Sequence, residues 1–424
     1  MEHYIFYCKL SLLAVLSLIT ACCMLSRRWY VNLAAFLACL SGETFLAHLF
    51  FPGYMLCPAA ASFIILFLSR IWDLSRTPAK GNGADPIRLP VRSGIRESRL
   101  EFHYHYSNFL VYGGAGSGKT KSIGKWLLSE YMRLGFAGFI YDFKDTDYTR
   151  TAYNLIKRHR YPHKFYYVSF DKPERSYRFN PLKVVRDRTE LIQLMEDVLL
   201  ALLPKKEQQN EWVAGGLGIL RGVAFRFWDE FPEHCTLPHI LAFIMTASAR
   251  QLSLFLQQNL VSEMLAGAYL KAEGSEKTQA SYLSTLCNNL ATISQNEEIA
   301  YVLSGDDFDF NLIDPENPKL FAVSNNFSKN SVYAPVISML MTISARQFSM
   351  QNRVPFVYFL DEMTTVNIKN FETLPSVLRE YKAAFILLTQ SGAKLENLYG
   401  KLDRSSVEAN FGNMFLGRTK DVEA

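Results

Sequence analysis

Apolar positions follow two regimes along the chain. Up to Trp72 they run almost unbroken, as Leu10 to Leu25, then Trp29 to Phe51 with Asn32, Glu43 and His48 as the main polar exceptions, then Met55 to Trp72. Each run is near the length that spans hydrocarbon. Beyond Arg99 the runs shorten to strand length and alternate with stretches of helical spacing. Phe109 to Tyr112, Phe139 to Phe143, Phe165 to Phe170, Leu320 to Val323, the run inside Arg353 to Glu362, and Ala384 to Leu388 read as buried strands. Thr120 to Arg133, Tyr333 to Met350 and Leu374 to Tyr381 read as the helices between them. This alternation predicts an α/β fold. Between Arg188 and Val302 the strand signal is lost, and Leu191 to Leu203, Glu211 to Trp228, Leu237 to Met245, Gln251 to Gln257 and Ala280 to Ile293 all have helical character. Such a block between strands predicts an inserted all-helical domain.

The predicted layout is therefore a transmembrane region over 1–75 with three spans, a linker over 76–100, an α/β domain from 101–187 and 303–424, and an all-α insertion over 188–302. Basic residues orient the spans. Arg27 and Arg28 follow the first run, Arg70, Arg76 and Lys80 follow the third, and Phe51 to Tyr54 carries none. The positive-inside rule then puts the amino terminus outside and Lys80 onward in the cytoplasm. Two spans are the competing topology, because Glu43 near the middle of the second run costs about 2.5–3.5 kcal/mol on insertion scales unless paired or facing a bundle interior. A secretory signal, with Ile19-Thr20-Ala21-Cys22 as its cleavage box, fits less well: Lys9 is the sole basic residue before it.

Composition adds little to the 424-residue chain beyond a hydrophobic content of 49%, concentrated at the front, and a formal net charge of +5. The linker is basic, and Arg88, Arg92, Arg96 and Arg99 suit anionic lipid, nucleic acid or a plain solvated tether. Lys205, Lys206, Arg221, Arg226, Lys271 and Lys277 are interleaved with acids and read as a solvated face of the insertion rather than a nucleic-acid groove. Cys8, Cys22, Cys23, Cys39 and Cys57 lie in or beside the spans, which leaves Cys235 and Cys287 and no disulfide framework. His234, Cys235 and His239 read as a loop entering a helix at Thr236-Leu237-Pro238, not as a metal site.

The chemistry centres on Gly113-Gly114-Ala115-Gly116-Ser117-Gly118-Lys119-Thr120, which fits G-x-x-x-x-G-K-[ST] between a strand and a helix. Glycines let successive N–H groups turn inward around phosphates, and the helix adds its positive dipole end. Lys119 is the candidate for the β- and γ-phosphates, and Thr120 for Mg²⁺. The apolar run ending in Asp361-Glu362 supplies a Mg²⁺-shell carboxylate and a carboxylate that orients water. Asp142-Phe143-Lys144-Asp145, at the end of a strand expected beside the phosphate-loop strand, is placed to line the ligand crevice. Gln390, just past Ala384 to Leu388, is the candidate γ-phosphate sensor. Arg379 has two readings, a finger reaching a neighbouring subunit's site or a surface ion pair.

Together these segments resemble the type IV coupling proteins, the membrane-anchored ATPases of bacterial conjugation and type IV secretion. Beyond the phosphate loop, the likeness rests on Asp142-x-Lys144, Phe179-Asn180-Pro181-Leu182, Ser275-x-Lys277-Thr278 leading to Asp307-Phe308-Asp309, Asp361-Glu362-Met363, Arg379, Gln390-Ser391, and Tyr399-Gly400 with Asn410 beyond. The resemblance implies a RecA-like P-loop nucleotide-binding domain with an inserted all-α domain and amino-terminal transmembrane helices, using ATP and Mg²⁺. It implies a homo-hexamer in the bacterial inner membrane that brings single- or double-stranded DNA with its bound relaxase to the secretion channel proteins. By position it makes Glu362 the water-activating carboxylate, Asp361 a Mg²⁺ ligand, Arg379 the arginine finger and Gln390 the sensor. The family usually has two amino-terminal spans and continues past the point matching Asp421, so the chain reads as shortened at its carboxyl end. A nucleotide-switched docking platform that recruits relaxase and channel proteins without moving DNA is the alternative function.

Overall fold

The computed structural model describes residues 85–418 except 94, 95, 145, 204–207, 209 and 369, so the predicted spans lie outside the described residues. Among the described residues no helix is long and apolar enough to cross a membrane. An antiparallel hairpin opens the described region, β1 (Ile87–Ser93) paired with β2 (Arg96–Phe102). Seven further strands follow: β3 (Phe109–Tyr112), β4 (Ala137–Asp142), β5 (Lys164–Ser169), β6 (Lys319–Ser324), β7 (Phe356–Asp361), β8 (Ala383–Thr389) and β9 (Asn413–Leu416). They form one seven-stranded sheet in the order β5-β6-β4-β7-β8-β3-β9. Every pairing in it is parallel.

Strand side chains alternate between faces, so a parallel sheet covered on both sides needs apolar residues at successive positions. β3 sends Phe109 and Val111 into one core and Leu110 and Tyr112 into the other. The first core is closed by the Lys125–Arg133 and Asp147–His159 helices through Leu127, Leu128, Tyr131, Tyr148 and Ala152. The second is closed by the Asn330–Arg346 helix and by the helical block between β5 and β6.

Every regular element from Arg188 to Leu303 among the described residues is helical. The Glu211–Glu230 helix runs through this block, and its glycines admit neighbours at close range. A Cβ on Gly218 would sit 2.8 Å from the Leu265 carbonyl oxygen. The chain goes into the block beside the point where it comes out. Phe179 N–H donates to the Val302 carbonyl at 2.8 Å, and Asp307 N–H donates to the Arg178 carbonyl at 2.8 Å. The Phe179 ring lies 4.8 Å from Phe308 and 4.9 Å from Phe310. Asn180 closes the junction, donating from Nδ2 to the Cys235 carbonyl at 2.8 Å while its Oδ1 accepts from Leu182 N–H at 3.1 Å. The Phe-Asn-Pro-Leu and Asp-Phe-Asp segments are thus two halves of one joint.

Several expectations are corrected. Residues from Ile87 onward are not a linker: Ile87 and Leu89 are buried against the Lys125–Arg133 helix, in the period-two pattern of a strand. Arg88 pairs with Asp85 at 2.6 Å and reaches Glu101 at 3.6 Å, so it is not held out for lipid. Arg226 is no solvated surface residue either; it is 6% exposed, lies 4.1 Å over the Phe255 ring and pairs with Glu230 at 2.9 Å. The helix entry expected at Thr236-Leu237-Pro238 is present: Thr236 caps the Leu237–Thr246 helix by accepting from His239 N–H at 3.2 Å. The Leu260–Leu265, Gly267–Lys271, Glu297–Leu303, Gly392–Tyr399 and Lys401–Ala409 helices and β9 were not expected from the sequence.

Buried Asn108, just before β3, ties the centre of the sheet to its flank. Its Nδ2 donates to the carbonyls of Pro375 and Asn410 at 3.0 Å each, and its Oδ1 accepts from Phe385 N–H at 2.9 Å. Asn108→Ala leaves these buried groups without partners and is expected to lower the unfolding free energy by about 1–3 kcal/mol, measured by urea denaturation.

Candidate nucleotide-binding site

The site lies at the carboxyl edge of the sheet, where β3, β8 and β7 end side by side. After Tyr112 the chain turns through Gly113 to Gly118, with Gly116 at φ +75° and Gly118 at φ +84°, a region that favours glycine. A Cβ on Gly113 would overlap the Ser117 hydroxyl, so a side chain there requires Ser117 to turn aside. Two amides at the root of the loop are committed to the scaffold: Gly113 N–H donates to Thr389 O and Gly114 N–H to Arg418 O, both at 3.1 Å. The helix then starts with a wide turn over Thr120–Gly124, Lys125 N–H donating to the Thr120 carbonyl. Together the loop, Lys121, Lys144, Glu362 and Gln390 line a crevice of about 440 Å³.

Lys119 and Glu362 meet inside it. Lys119 Nζ lies 2.5 Å from Glu362 Oε1 and donates to the Gly113 carbonyl at 3.2 Å. Both residues are buried, at 6% and 1% exposure. Burial pulls the Lys119 ammonium below its ordinary range, opposed by its bond to Glu362. Two more groups converge on the same carboxylate oxygen: Gln390 Nε2 at 3.3 Å and Lys144 Nζ at 3.8 Å. Lys394 fixes Gln390 from the other end, Nζ donating to its Oε1 at 2.6 Å.

Glu362 is aimed by its backbone. It sits at φ 47°, ψ 49°, left-handed and non-glycine, immediately after β7. Such a conformation costs about 1–3 kcal/mol and persists where the surroundings hold it. Asp361 ends the strand fully buried, and among the described residues neither carboxylate oxygen has a hydrogen-bond partner. Burial raises its carboxyl to about 7, with Glu362 and Asp142 adding to the rise and Lys144 and Lys119 opposing it. The Ser117 hydroxyl and Glu362 Oε2 are likewise without a partner among the described residues. Buried oxygens left unsatisfied at the edge of a crevice fit a hard divalent cation, which takes oxygen ligands.

Of the residues predicted for this site, the structure brings together Gly114 to Thr120, Glu362 and Gln390 around the crevice, with Gly113 bonded to Lys119 through its carbonyl and Asp361 within electrostatic reach of Glu362 and Lys119. It separates two others. Asp142 is turned inward and anchors the next helix, its Oδ2 accepting from Thr149 N–H at 2.8 Å and Thr149 Oγ1 at 2.9 Å. β4 is also not beside β3, since β8 and β7 lie between them, so Lys144 rather than Asp142 reaches the crevice. Arg379 is exposed at the end of the Leu374–Glu380 helix, before β8 begins. The length of β8, about 20 Å at strand rise, separates it from the crevice of its own chain. The sequence does not single out Tyr141, Thr365, Asn325 and Asn330, which are hydrogen-bonded to one another beside the turn that follows Glu362. They are ordinary polar residues on three segments, at the ends of β4, β6 and β7, and nothing in local spacing marks them.

A parallel sheet flanked by helices, with a glycine-rich loop and an Asp-Glu strand end facing each other at its carboxyl edge, fits a RecA-like domain. The profile of the family described as "Type IV secretion-system coupling protein DNA-binding domain" matches residues 100–424, and the chain belongs to that family. Among solved structures it is similar to the unbound monoclinic form of the bacterial conjugative coupling protein TrwBdeltaN70, at 16% identity over 82% of this chain and 74% of that one, with a TM-score of 0.60. It is similar also to the plasmid coupling protein TrwB in complex with ADP and Mg²⁺, at 16% identity over 79% and 81% of the two chains and a TM-score of 0.59. For TrwB with the ATP analogue ADPNP the values are 17%, 78%, 80% and 0.59. At this identity the likeness is one of fold. No curated protein sequence matches significantly.

Proposed function

We propose that this chain is a membrane-anchored ATPase that couples a DNA–relaxase complex to a type IV secretion channel and drives DNA transfer by ATP hydrolysis. The observation that carries the reading is the convergence of Lys119, Gln390 and Lys144 on one oxygen of Glu362, at the mouth of a glycine loop and beside the unpartnered Asp361 carboxylate. Triphosphate entering the crevice competes with Glu362 for Lys119. With the Gly113 and Gly114 amides already engaged, the phosphates fall to the later loop amides and the helix start. Thr120 and the unpartnered Asp361 carboxylate would hold Mg²⁺, which would supply positive charge to offset that of the phosphates. Once Lys119 has moved to phosphate, Glu362 is free to orient the attacking water and accept its proton at Oε1, and Gln390 positions that water against the γ-phosphate. Arg379, exposed and remote from its own crevice, serves a neighbouring subunit in a homo-hexamer. The apolar runs before Arg76 anchor the assembly in the inner membrane.

The Lys119–Glu362 pair also gives substance to a second reading, a docking platform for relaxase and channel proteins that nucleotide switches without DNA movement. ATP turnover by the full chain with and without single- and double-stranded DNA separates them. A several-fold stimulation by DNA is expected for the pump; nucleotide binding with no stimulated turnover is the outcome for the platform.

A further inference from the structure

We infer that Thr365, Tyr141, Asn325 and Asn330 are positioning residues that hold Glu362 in its left-handed conformation and thereby aim its carboxylate. The inference rests on the reading of Glu362 as the water-orienting group.

The hydrogen-bond directions can be assigned around the whole circuit. The Glu362 carbonyl accepts from both Thr365 N–H at 2.9 Å and Thr365 Oγ1 at 2.7 Å, which closes the turn after β7. Thr365 Oγ1 has a single hydrogen, so the 2.6 Å contact to Tyr141 must be donated by the tyrosine hydroxyl. That hydroxyl oxygen in turn accepts from Asn325 Nδ2 at 2.9 Å. The same Asn325 amide donates its other hydrogen to Asn330 Oδ1 at 2.7 Å, and Asn330 Nδ2 returns to the Thr365 carbonyl at 3.2 Å. Asn325 itself is fixed to β4, its N–H donating to the Asp142 carbonyl at 2.9 Å. The ring thus joins the ends of β4, β6 and β7, and its residues reach Glu362 only through the Thr365 hydroxyl and the turn it closes. Tyr141 is fully buried and Asn325 3% exposed, so water is a poor substitute for any lost member.

A turn that merely needed closing has the Thr365 N–H bond for that. The hydroxyl adds a second, laterally directed constraint on the same carbonyl, in a backbone region where a glutamate otherwise pays for its conformation. Loosening it lets Glu362 relax, which moves the carboxylate while the phosphate loop keeps its bonds to Thr389 and Arg418; Lys119, which leaves Glu362 for the phosphates when nucleotide binds, serves them in either case. The effect belongs in turnover and not in nucleotide affinity.

The test uses the full chain and steady-state ATP hydrolysis, with Kd for a fluorescent ADP measured separately. Thr365→Val keeps shape and removes the hydroxyl; kcat is expected to fall about tenfold or more with KM and Kd within about twofold. Thr365→Ser restores the hydroxyl and is expected to recover most of the rate. Tyr141→Phe, which keeps the buried ring should the valine variant fold poorly, is expected to lower kcat in the same selective way. Combined with Thr365→Val it adds little, because the two act through one bond. Wild-type turnover in Thr365→Val, a loss shared equally between kcat and nucleotide affinity, or no rescue by serine overturns the inference alone. A wild-type chain that binds nucleotide but does not hydrolyse it, or a Glu362→Gln variant that hydrolyses normally, removes the reading of Glu362 and this inference with it.

Discussion

Lys119→Ala is expected to abolish ATP turnover and, at the same time, to destabilise the nucleotide-free protein. The first effect follows from losing a charged donor to the phosphates, a change worth about 10²–10³ in rate for a single preorganised donor. The second follows from the partner left behind. Lys119 and Glu362 form a 2.5 Å pair with side chains only 5% and 2% exposed. Removing one member of a buried pair strands the other charge, at a cost of about 3–5 kcal/mol. Gln390 at 3.3 Å and the half-exposed Lys144 at 3.8 Å stay near Glu362, which puts the cost toward the lower end of that range. The double variant Lys119→Ala, Glu362→Gln separates the effects, because it removes the stranded charge while leaving the cradle without its lysine. Its midpoint in urea is expected to recover most of the loss, while turnover remains absent. A single variant as stable as wild type would show that the pair does not persist in solution. DNA transfer at wild-type frequency by Lys119→Ala would sink the motor and leave the docking platform.

Arg379→Ala is expected to bind nucleotide normally and lose about 10³ or more in turnover, the range found when an arginine finger is removed from other P-loop systems. Its own chain offers it no role at the crevice. The side chain is exposed, makes no ion pair among the described residues, and stands about 20 Å away along β8. A surface residue of that kind, substituted by alanine, ordinarily changes stability by about 0–1 kcal/mol and leaves rates alone. The two readings therefore differ by orders of magnitude in one assay. Mixing distinguishes action across a subunit boundary from a local defect. Arg379→Ala subunits keep an intact cradle, and Lys119→Ala subunits keep the arginine, so mixed assemblies are expected to recover activity wherever the two intact halves meet. Pull-down must show both variants in one particle. Mixed particles as inactive as either parent would count against a finger here.

Motifs with rigid local spacing were legible in the sequence. The phosphate loop, the Asp361-Glu362 strand end and Gln390 could be read because each depends on a few neighbouring residues obeying a geometric rule. The order of the sheet is not legible there: the sequence suggests that Asp142 lines the crevice from a strand beside β3, whereas β4 lies beyond β7. The number and spacing of apolar runs say which segments are strands but not which are neighbours. The hairpin at Ile87 was hidden by its arginines, although Ile87, Leu89 and Val91 alternate as a strand should. The Lys119–Glu362 contact spans 243 residues, and the four-residue ring around Thr365 draws on segments up to 224 residues apart. Such contacts exist only once the fold has brought sheet ends together, so no local pattern encodes them.

The position of β3 bears on how the protein is made. Its hydrogen-bonded neighbours are β8 and β9, and it pairs with nothing that is synthesised near it. Asn108 waits for a partner 277 residues downstream in Phe385, and Gly114 for the carbonyl of Arg418. During translation, at about 5–20 residues per second, the phosphate loop emerges early and stays without its supporting strands for some tens of seconds. Bringing β3 and β8 together closes a loop of most of the described residues, a step of high contact order and correspondingly slow. The pairing of β5 with β6 across the helical block, whose ends meet at Phe179 and Phe308, closes a shorter loop than the pairing of β3 with β8. Nucleotide competence therefore waits for β8 and β9, and a nascent chain that has not reached them lacks the supports of its phosphate loop.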